Sequence, residues 1–252
     1  MKLFLVSDSF IPIRGNGIKV GTEIDVSNNF LVNLEKQISR YDNFVFICND
    51  PLAFEQNDTS AKKISVAFER QLKPFNNTVV LDNRTKKNSA IILKSADFVF
   101  IQGGKIPAQN QFLKNIDFAN IIKNTNAVVV GRSAGAMNMA HKVYNYPEED
   151  SEINEARWFS GLGLSDYIVI PHFNLKNGNE YCMGNFNLLT DYYLPTSKGN
   201  IFYALTNGSY ILIDNKNAVV YGESYIIKDE QVTKICENNK NKNLKELTNE
   251  RN

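Results

Sequence analysis

Residues 128–136 read Val-Val-Val-Gly-Arg-Ser-Ala-Gly-Ala, an apolar run that meets two closely spaced glycines, Gly131 and Gly135, on either side of Ser133. The pattern Gly-x-Ser-x-Gly is typical of a nucleophile elbow, a sharp strand-to-helix turn that exposes a serine hydroxyl above the end of a sheet. Glycine suits this turn because the strand and helix backbones approach too closely for a side chain. The stretch therefore predicts an α/β fold with a serine nucleophile.

The segments around the turn come in the order that an elbow requires. Residues 97–101 and 127–130 are short apolar runs typical of buried parallel strands, and residues 133–142 predict a helix that begins with small side chains. The alternative is an ordinary strand-to-helix turn in which Ser133 only caps the helix.

A serine nucleophile needs a base, and the chain has two histidines, His141 and His172. His141 follows Ser133 by eight residues on the same predicted helix, which corresponds to about 12 Å along the helix axis. His172 ends the apolar run 167–173, and the carboxyl ends of parallel strands gather at one edge of a sheet. His172 is therefore the candidate general base, and a strand-end histidine satisfied by backbone groups is the alternative.

Four further motifs accompany the elbow: the turn Gly103-Gly104 after a strand, Gly161-Leu-Gly-Leu164, Ile170-Pro-His-Phe173, and the opening Lys2-Leu-Phe-Leu-Val-Ser-Asp-Ser9. Together they resemble the S51 serine peptidases, a family that includes an aspartyl dipeptidase and cyanophycinase. The resemblance covers roughly residues 1–225 and implies a fold similar to the class I glutamine amidotransferase domain, with serine in place of cysteine. It also implies that Ser133 is the nucleophile and His172 the base, and that the reaction passes through an acyl-enzyme.

The third member of the expected triad departs from the family pattern. An acid normally fixes the histidine tautomer and stabilises the imidazolium. The resemblance places this acid either some fifteen residues after the serine, where Glu148 is the nearest match, or in the late segment 204–209, where Asn207 stands. We rank Glu148 first and Asn207 second, because an amide can orient a histidine but cannot offset its charge. The alternatives are a solvated loop carboxylate for Glu148 and a turn residue for Asn207.

Backbone amides are the candidates for stabilising an oxyanion. Gly103 and Gly104 follow a strand, and glycine lets a carbonyl approach their N–H groups. The N–H of Ala134, directly after the serine, is the further donor expected of an elbow. No metal site or cofactor is expected, because the two histidines and the three scattered cysteines have no ligand spacing.

Substrate and partners are less constrained by the residues. A preference for amino-terminal aspartate, as in the family's dipeptidase, needs a cation, and Arg132, Lys105 and Lys176 are the candidates; each could equally be a surface charge. A hydrolase of a cyanophycin-like branched peptide and a catalytically impaired or non-enzymatic binding protein stay open as alternative functions.

The net charge of +1 gives no field that attracts nucleic acid or an anionic membrane. We expect a small peptide partner, leave a homodimer open, and expect a cytoplasmic protein because the odd number of cysteines indicates a reducing compartment.

The whole chain of 252 residues, 43% hydrophobic, alternates strand and helix patterns. We predict one domain, residues 1–236, with a three-layer αβα architecture: a mostly parallel sheet, helices on both faces and a small antiparallel extension at the carboxyl end. Residues 237–252 are polar and predict a frayed helix or disordered tail. The further elements predicted are strands at 3–6, 44–48, 78–81, 201–205, 210–213 and 218–221, and helices at 24–40, 54–75, 89–94, 108–123 and 180–193.

Overall fold

The structure is a computed structural model that describes residues 1–15, 18–155, 157–215 and 217–249. Within these ranges, no helix combines the length and the apolar character needed to cross a membrane.

The strands of the described residues are β1 (Lys2–Val6), β2 (Phe10–Gly15), β3 (Ile18–Ile24), β4 (Asn43–Ile47), β5 (Asn77–Leu81), β6 (Phe98–Ile101), β7 (Val128–Arg132), β8 (Lys142–Tyr144), β9 (Trp158–Ser160), β10 (Ile168–Ile170), β11 (Phe202–Leu205), β12 (Tyr210–Asp214), β13 (Asn217–Tyr221), β14 (Ser224–Lys228), β15 (Gln231–Cys236) and β16 (Asn241–Asn243). The α-helices are α1 (Phe30–Gln37), α2 (Phe54–Glu69), α3 (Ser89–Ser95), α4 (Ile106–Asn115), α5 (Phe118–Ile122), α6 (Ala134–Asn138), α7 (Leu194–Thr196) and α8 (Leu244–Asn249). Shorter 3₁₀ turns lie at Ser27–Asn29, Lys86–Asn88 and Asp150–Glu152, and Leu188–Tyr193 is π-helical.

The central sheet has the strand order β16-β13-β12-β1-β7-β6-β4-β5. The strands β1, β7, β6, β4 and β5 run parallel, whereas β12, β13 and β16 join antiparallel at the side of β1. The inner parallel strands are mostly apolar because both faces of the sheet are covered, and every side chain of β6 is fully buried. The edge strand β5 begins with exposed Asn77 and Thr78. The sheet is therefore mostly parallel with an antiparallel carboxyl-terminal extension, as the sequence predicts.

Helices cover this sheet on both faces. The connections from β1 to β4 and from β4 to β5 move across the sheet in one direction, and those from β5 to β6 and from β6 to β7 move in the opposite direction. Right-handed crossovers then place α1 and α2 on one face and α3, α4 and α5 on the other. Contacts of α5 with α3 and α4, and of α4 with α6, agree with this layering. The predicted three-layer αβα architecture is confirmed.

A second sheet, in the order β10-β11-β14-β15, was not foreseen. The sequence predicts that residues 167–173 join the same sheet as β7, but β10 pairs in parallel with β11 instead. Part of this sheet packs in a separate apolar cluster, which includes Ile170, Phe173 and Phe202, whereas alternate side chains such as Val169 and Tyr203 join the main core. Hydrophobic patterning identifies a buried strand but carries no information about which strand it pairs with, so the strand was predicted and its sheet was not.

Several predicted helices differ in extent. The helix after Ser133 ends at Asn138, and residues 142–144 form a strand instead. The helix predicted at 108–123 breaks at Asp117, whose φ of 53° is left-handed. Residues 24–40 contain a helix only from Phe30, after a hairpin of β2 and β3.

Two polar or mixed segments also depart from their predicted states. Residues 180–193 contain no α-helix among their described positions; the segment is irregular up to the π-helical turn at Leu188–Tyr193. Residues 241–249 are not a disordered tail, because β16 pairs with β13 and α8 contacts β13; the helix α8 agrees with the other predicted alternative. Leu244 is buried there, which gives this polar segment its anchor in the core. Residues 250–252 lie outside the described part.

Candidate active site

The turn after β7 has the geometry of a nucleophile elbow. Ser133 adopts φ 52° and ψ −117°, a strained conformation for a residue with a side chain. A Cβ atom on Gly131 would lie 2.7 Å from the backbone of Gly135, and one on Gly135 would lie 2.6 Å from the carbonyl oxygen of Ile101. Both glycines are therefore required sterically, as the sequence analysis argues, and they let α6 start directly behind the strand.

Two polar contacts join Ser133 to the rest of the site. Its amide donates to the carbonyl of Val6 at 2.8 Å, which ties the elbow to the carboxyl end of β1. Its Oγ lies 2.8 Å from Nε2 of His172, a residue that follows β10 in the second sheet. The serine and the histidine thus come from two different sheets whose edges meet here.

The other ring nitrogen of His172 meets an amide. Nδ1 lies 2.8 Å from Oδ1 of Asn207, which also lies 3.3 Å from the Oγ of Ser7. The same Ser7 hydroxyl accepts the backbone N–H of His172 at 2.7 Å. The histidine is therefore held both at its ring and at its backbone, and His172 itself is 6% exposed.

The first-ranked acid, Glu148, does not hold the imidazole, so that ranking is wrong. Its amide donates to the Glu152 carboxylate and its carbonyl accepts from Met183, so the residue belongs to a separate loop. Burial, followed by the neighbouring charges of Glu152 and Glu149, raises the pKa of the Glu148 carboxyl. Glu148 has the expected spacing from Ser133 in the sequence, but its loop does not bring the carboxylate to the His172 ring.

A carboxylate that the sequence analysis missed lies behind Asn207. Glu180 Oε2 accepts a hydrogen bond from Asn207 Nδ2 at 2.6 Å, and the Glu180 backbone N–H donates to the carbonyl of His172 at 2.8 Å. The Tyr181 ring packs edge-on against His172, with a centroid distance of 4.7 Å. No sequence signal marks Glu180, because it lies in an irregular loop predicted as helix.

The environment of His172 favours the neutral ring. Burial, with a smaller effect from the charge of Arg132, lowers the pKa of His172 and outweighs the hydrogen bond with Asn207 and the charge of Asp8, which both raise it. A neutral imidazole with a free lone pair on Nε2 is the form that can accept the Ser133 proton.

Gly103 and Gly104 lie beside the serine. A Cβ on Gly103 would be 3.4 Å from Ser133 Oγ, and one on Gly104, whose φ is 155°, would be 2.3 Å from Asn49 Cβ. Within the described ranges, the amides of Gly103, Gly104 and Ala134 donate to no carbonyl of a turn, loop or cap. All three N–H groups therefore stay candidates for donation to an oxyanion.

Ser133 and His172 line a cavity of about 670 Å³, within the size range of small-molecule sites. Arg132 also lines it but is engaged by Asp8: Nε donates to Oδ1 at 2.9 Å and Nη2 to Oδ2 at 2.5 Å. Lys105 lines the cavity with no ion pair among the described residues, whereas Lys176 is not part of the lining. The lining also includes four glutamates, Glu148, Glu149, Glu152 and Glu155.

The second histidine is remote from this arrangement. The His141 ring is exposed and lies 3.2 Å from an Asp166 carboxylate oxygen. In the part of the chain that the structure describes, no group of three or more His, Cys, Asp or Glu side chains is placed to hold a metal ion.

Comparison with known proteins agrees with this architecture. Among solved structures, the chain is similar to a protein from Listeria monocytogenes EGD-e assigned as a peptidase E, with a TM-score of 0.58 and 19% identity, over 87% of this chain and 96% of that one. No match was found among proteins of curated function. The family model described as Peptidase family S51 matches residues 19–221. The chain therefore belongs to peptidase family S51 and is a serine peptidase.

Proposed function

We propose that the protein hydrolyses small peptides, with Ser133 as nucleophile and His172 as general base. The observation that carries this proposal is the 2.8 Å contact between Ser133 Oγ and His172 Nε2, at an elbow that opens into the cavity. This is the hydrogen-bond reach expected of a nucleophile and its base.

In the first half of the reaction, His172 Nε2 takes the Ser133 proton as Oγ attacks the peptide carbonyl. The amides of Gly104 and Ala134 donate to the oxyanion, with Gly103 beside them. The C–N bond then breaks, and His172 returns the proton to the leaving amine. In the second half, His172 takes a proton from a water molecule that attacks the acyl-enzyme. The ester C–O bond to Ser133 then breaks, and His172 returns the proton to Oγ as the acid leaves.

Asn207 holds His172 in this scheme but carries no charge. Burial keeps the resting ring neutral and ready to accept a proton, but it also disfavours the charged ring that forms on proton transfer. Without a carboxylate directly on Nδ1, the imidazolium of the transition state is less stabilised than in a Ser-His-Asp triad. We therefore expect a slower enzyme than one with a complete triad.

The charges around the cavity do not favour amino-terminal aspartate. Asp8 neutralises Arg132, so Lys105 is the cation left to meet a substrate carboxylate. The four cavity glutamates suit a free peptide amino group and repel an aspartate side chain. We propose peptides with a free amino terminus and no required aspartate.

Labelling with a fluorophosphonate tests the nucleophile, because Oγ forms a bond to phosphorus as fluoride leaves. We expect labelling at Ser133 near neutral pH, abolished in Ser133→Ala and in His172→Ala. His141→Ala is the matched control, because it removes the only other histidine of the sequence. Absence of labelling in the native protein would overturn the proposal.

A dipeptide library that varies the amino-terminal residue tests the substrate. We expect cleavage of several dipeptides with neutral first residues. Cleavage confined to amino-terminal aspartate, or confined to cyanophycin-like branched peptides, would contradict the proposed substrate class.

A further inference from the structure

Glu180 occupies a place that no part of the proposed mechanism uses. Its carboxylate contacts Asn207, and Asn207 contacts His172, so the polar chain runs from Ser133 through His172 and Asn207 to Glu180. Its backbone bond to the carbonyl of His172 keeps the loop 172–180 folded against the site. The carboxylate therefore acts on the histidine only through the amide.

This contact decides which way the Asn207 amide faces. An ionised carboxylate can only accept hydrogen bonds, so the atom of Asn207 that meets Glu180 must be the NH₂ group. The amide oxygen then faces His172 Nδ1 and requires a hydrogen there. Nε2 is left with its lone pair towards Ser133, which is the arrangement a general base needs.

Ser7 cannot make this choice. Its hydroxyl lies 3.3 Å from Asn207 Oδ1, and a hydroxyl can either donate to an amide oxygen or accept from an amide NH₂ group. A reversed amide would offer its NH₂ to Nδ1 and move the ring hydrogen to Nε2, the wrong tautomer. In Ser-His-Asp enzymes, asparagine in place of the acid costs about 10⁴ in kcat for this reason.

We infer that Glu180 is a positioning residue that holds the Asn207 amide in one orientation and thereby keeps His172 in the tautomer that can accept the Ser133 proton. This inference rests on the proposed function of Ser133 and His172. Glu180 is solvent-exposed, so water screens its charge and its contribution is the direction of a hydrogen bond rather than stabilisation of the imidazolium. The site thus combines an asparagine with a remote acid.

The rate of fluorophosphonate labelling at Ser133 tests the inference. We expect Glu180→Ala to lower this rate about 10- to 100-fold. This range is the change in an equilibrium constant that follows from the loss of one charge-assisted hydrogen bond. Glu237→Ala is the matched control, because Glu237 is also an exposed glutamate that accepts a side-chain hydrogen bond, from Lys234. That variant is expected to label at the native rate.

The same substitution in an Asn207→Asp background separates positioning from a structural role. A carboxylate at position 207 can only accept from Nδ1, so the tautomer no longer depends on Glu180. It would also lie against the Glu180 carboxylate, and like charges at that distance repel. We expect Glu180→Ala to leave the labelling rate unchanged or to raise it in this background. An equal loss in both backgrounds would overturn the inference.

Ring ¹⁵N chemical shifts report the tautomer without any reaction. The sequence has two histidines, so His141→Gln assigns the His172 signals. We expect hydrogen on Nδ1 in the native protein and a shift towards hydrogen on Nε2 in Glu180→Ala. An unchanged tautomer with native labelling would overturn the role of Glu180 and leave the proposed function standing. No labelling of the native protein at all would overturn both.

Discussion

Gly104→Ala tests the assignment of the oxyanion donors. A Cβ atom at this position would lie 2.3 Å from Asn49 Cβ, and ordinary contacts begin at 3.4 Å, so the turn must move by about 1.1 Å. A displacement of about 1 Å at a reacting centre can cost about 10²-fold in rate, and the loss of one oxyanion donor about 10²- to 10³-fold. We therefore expect labelling of Ser133 by a fluorophosphonate to slow at least about 10²-fold.

The stability cost of the same change is separable from its effect on rate. Gly104 has φ 155°, and an alanine held in such a region costs about 1–3 kcal/mol. For a chain of this size, that lowers Tm by roughly 2–4 °C per kcal/mol. Calorimetry on the variant therefore shows whether the protein that is assayed is still folded.

Gly199→Ala is the matched control. Gly199 also has a positive φ, 73°, but an added Cβ would find no heavy atom within 4 Å. This variant is expected to lose stability and to label Ser133 at the native rate. Gly104→Ala combined with Asn49→Gly removes the collision and should recover part of the rate. Labelling by folded Gly104→Ala within about threefold of native, well short of the loss of a donor, would refute Gly104 as an oxyanion donor.

Three other predictions concern protonation, charge and packing. Burial lowers the pKa of His172, so the pH at which the labelling rate falls to half of its plateau should lie below the ordinary histidine value of about 6.5, and a midpoint above 6.5 would contradict this. The unfolded chain binds this proton more readily than the folded chain, so the free energy of unfolding should fall as the pH drops below about 6.5. Asp8→Asn removes the carboxylate that pairs with Arg132, so Arg132 can bind the carboxylate of a substrate. Competition assays should show that the preference for amino-terminal aspartate over alanine rises about tenfold, because one charge-assisted hydrogen bond is added. An unchanged ratio would show that Arg132 does not reach the substrate. Phe68→Ala removes a ring that contacts four other phenylalanines. The free energy of unfolding should fall by about 3–5 kcal/mol, which calorimetry would record as a fall in Tm of at least roughly 6 °C. A smaller fall would mean that the aromatic cluster repacks.

Local patterns were sufficient for the elbow and for the parallel strands around it. The strand, the turn and the first residues of the helix are adjacent in the chain, and Gly131 reflects a collision with Gly135, only four residues away. Buried parallel strands are apolar throughout, so residues 98–101 and 128–130 were recognisable without their neighbours. The shortage of histidine singled out His172.

Contacts between distant segments could not be derived in this way. Asn207 was a weaker candidate than Glu148 in sequence because a carboxylate is the better chemical match. Only the folded chain shows that Asn207 is the one that reaches His172. Arg132 was likewise a candidate for substrate binding, but in the folded chain its guanidinium donates to the carboxylate of Asp8, which lies 124 residues away in the sequence.

The sequence by itself determined the class of sheet, the elbow and the choice of Ser133 and His172 as candidate nucleophile and base, because these depend on residue type and short-range spacing. The tertiary structure decided what surrounds the histidine. Its strand lies in a second sheet, its ring meets an amide, and that amide meets Glu180, an acid from an irregular loop. Hydrogen-bond partners depend on where separate loops end in space, and neither periodicity nor composition carries that information.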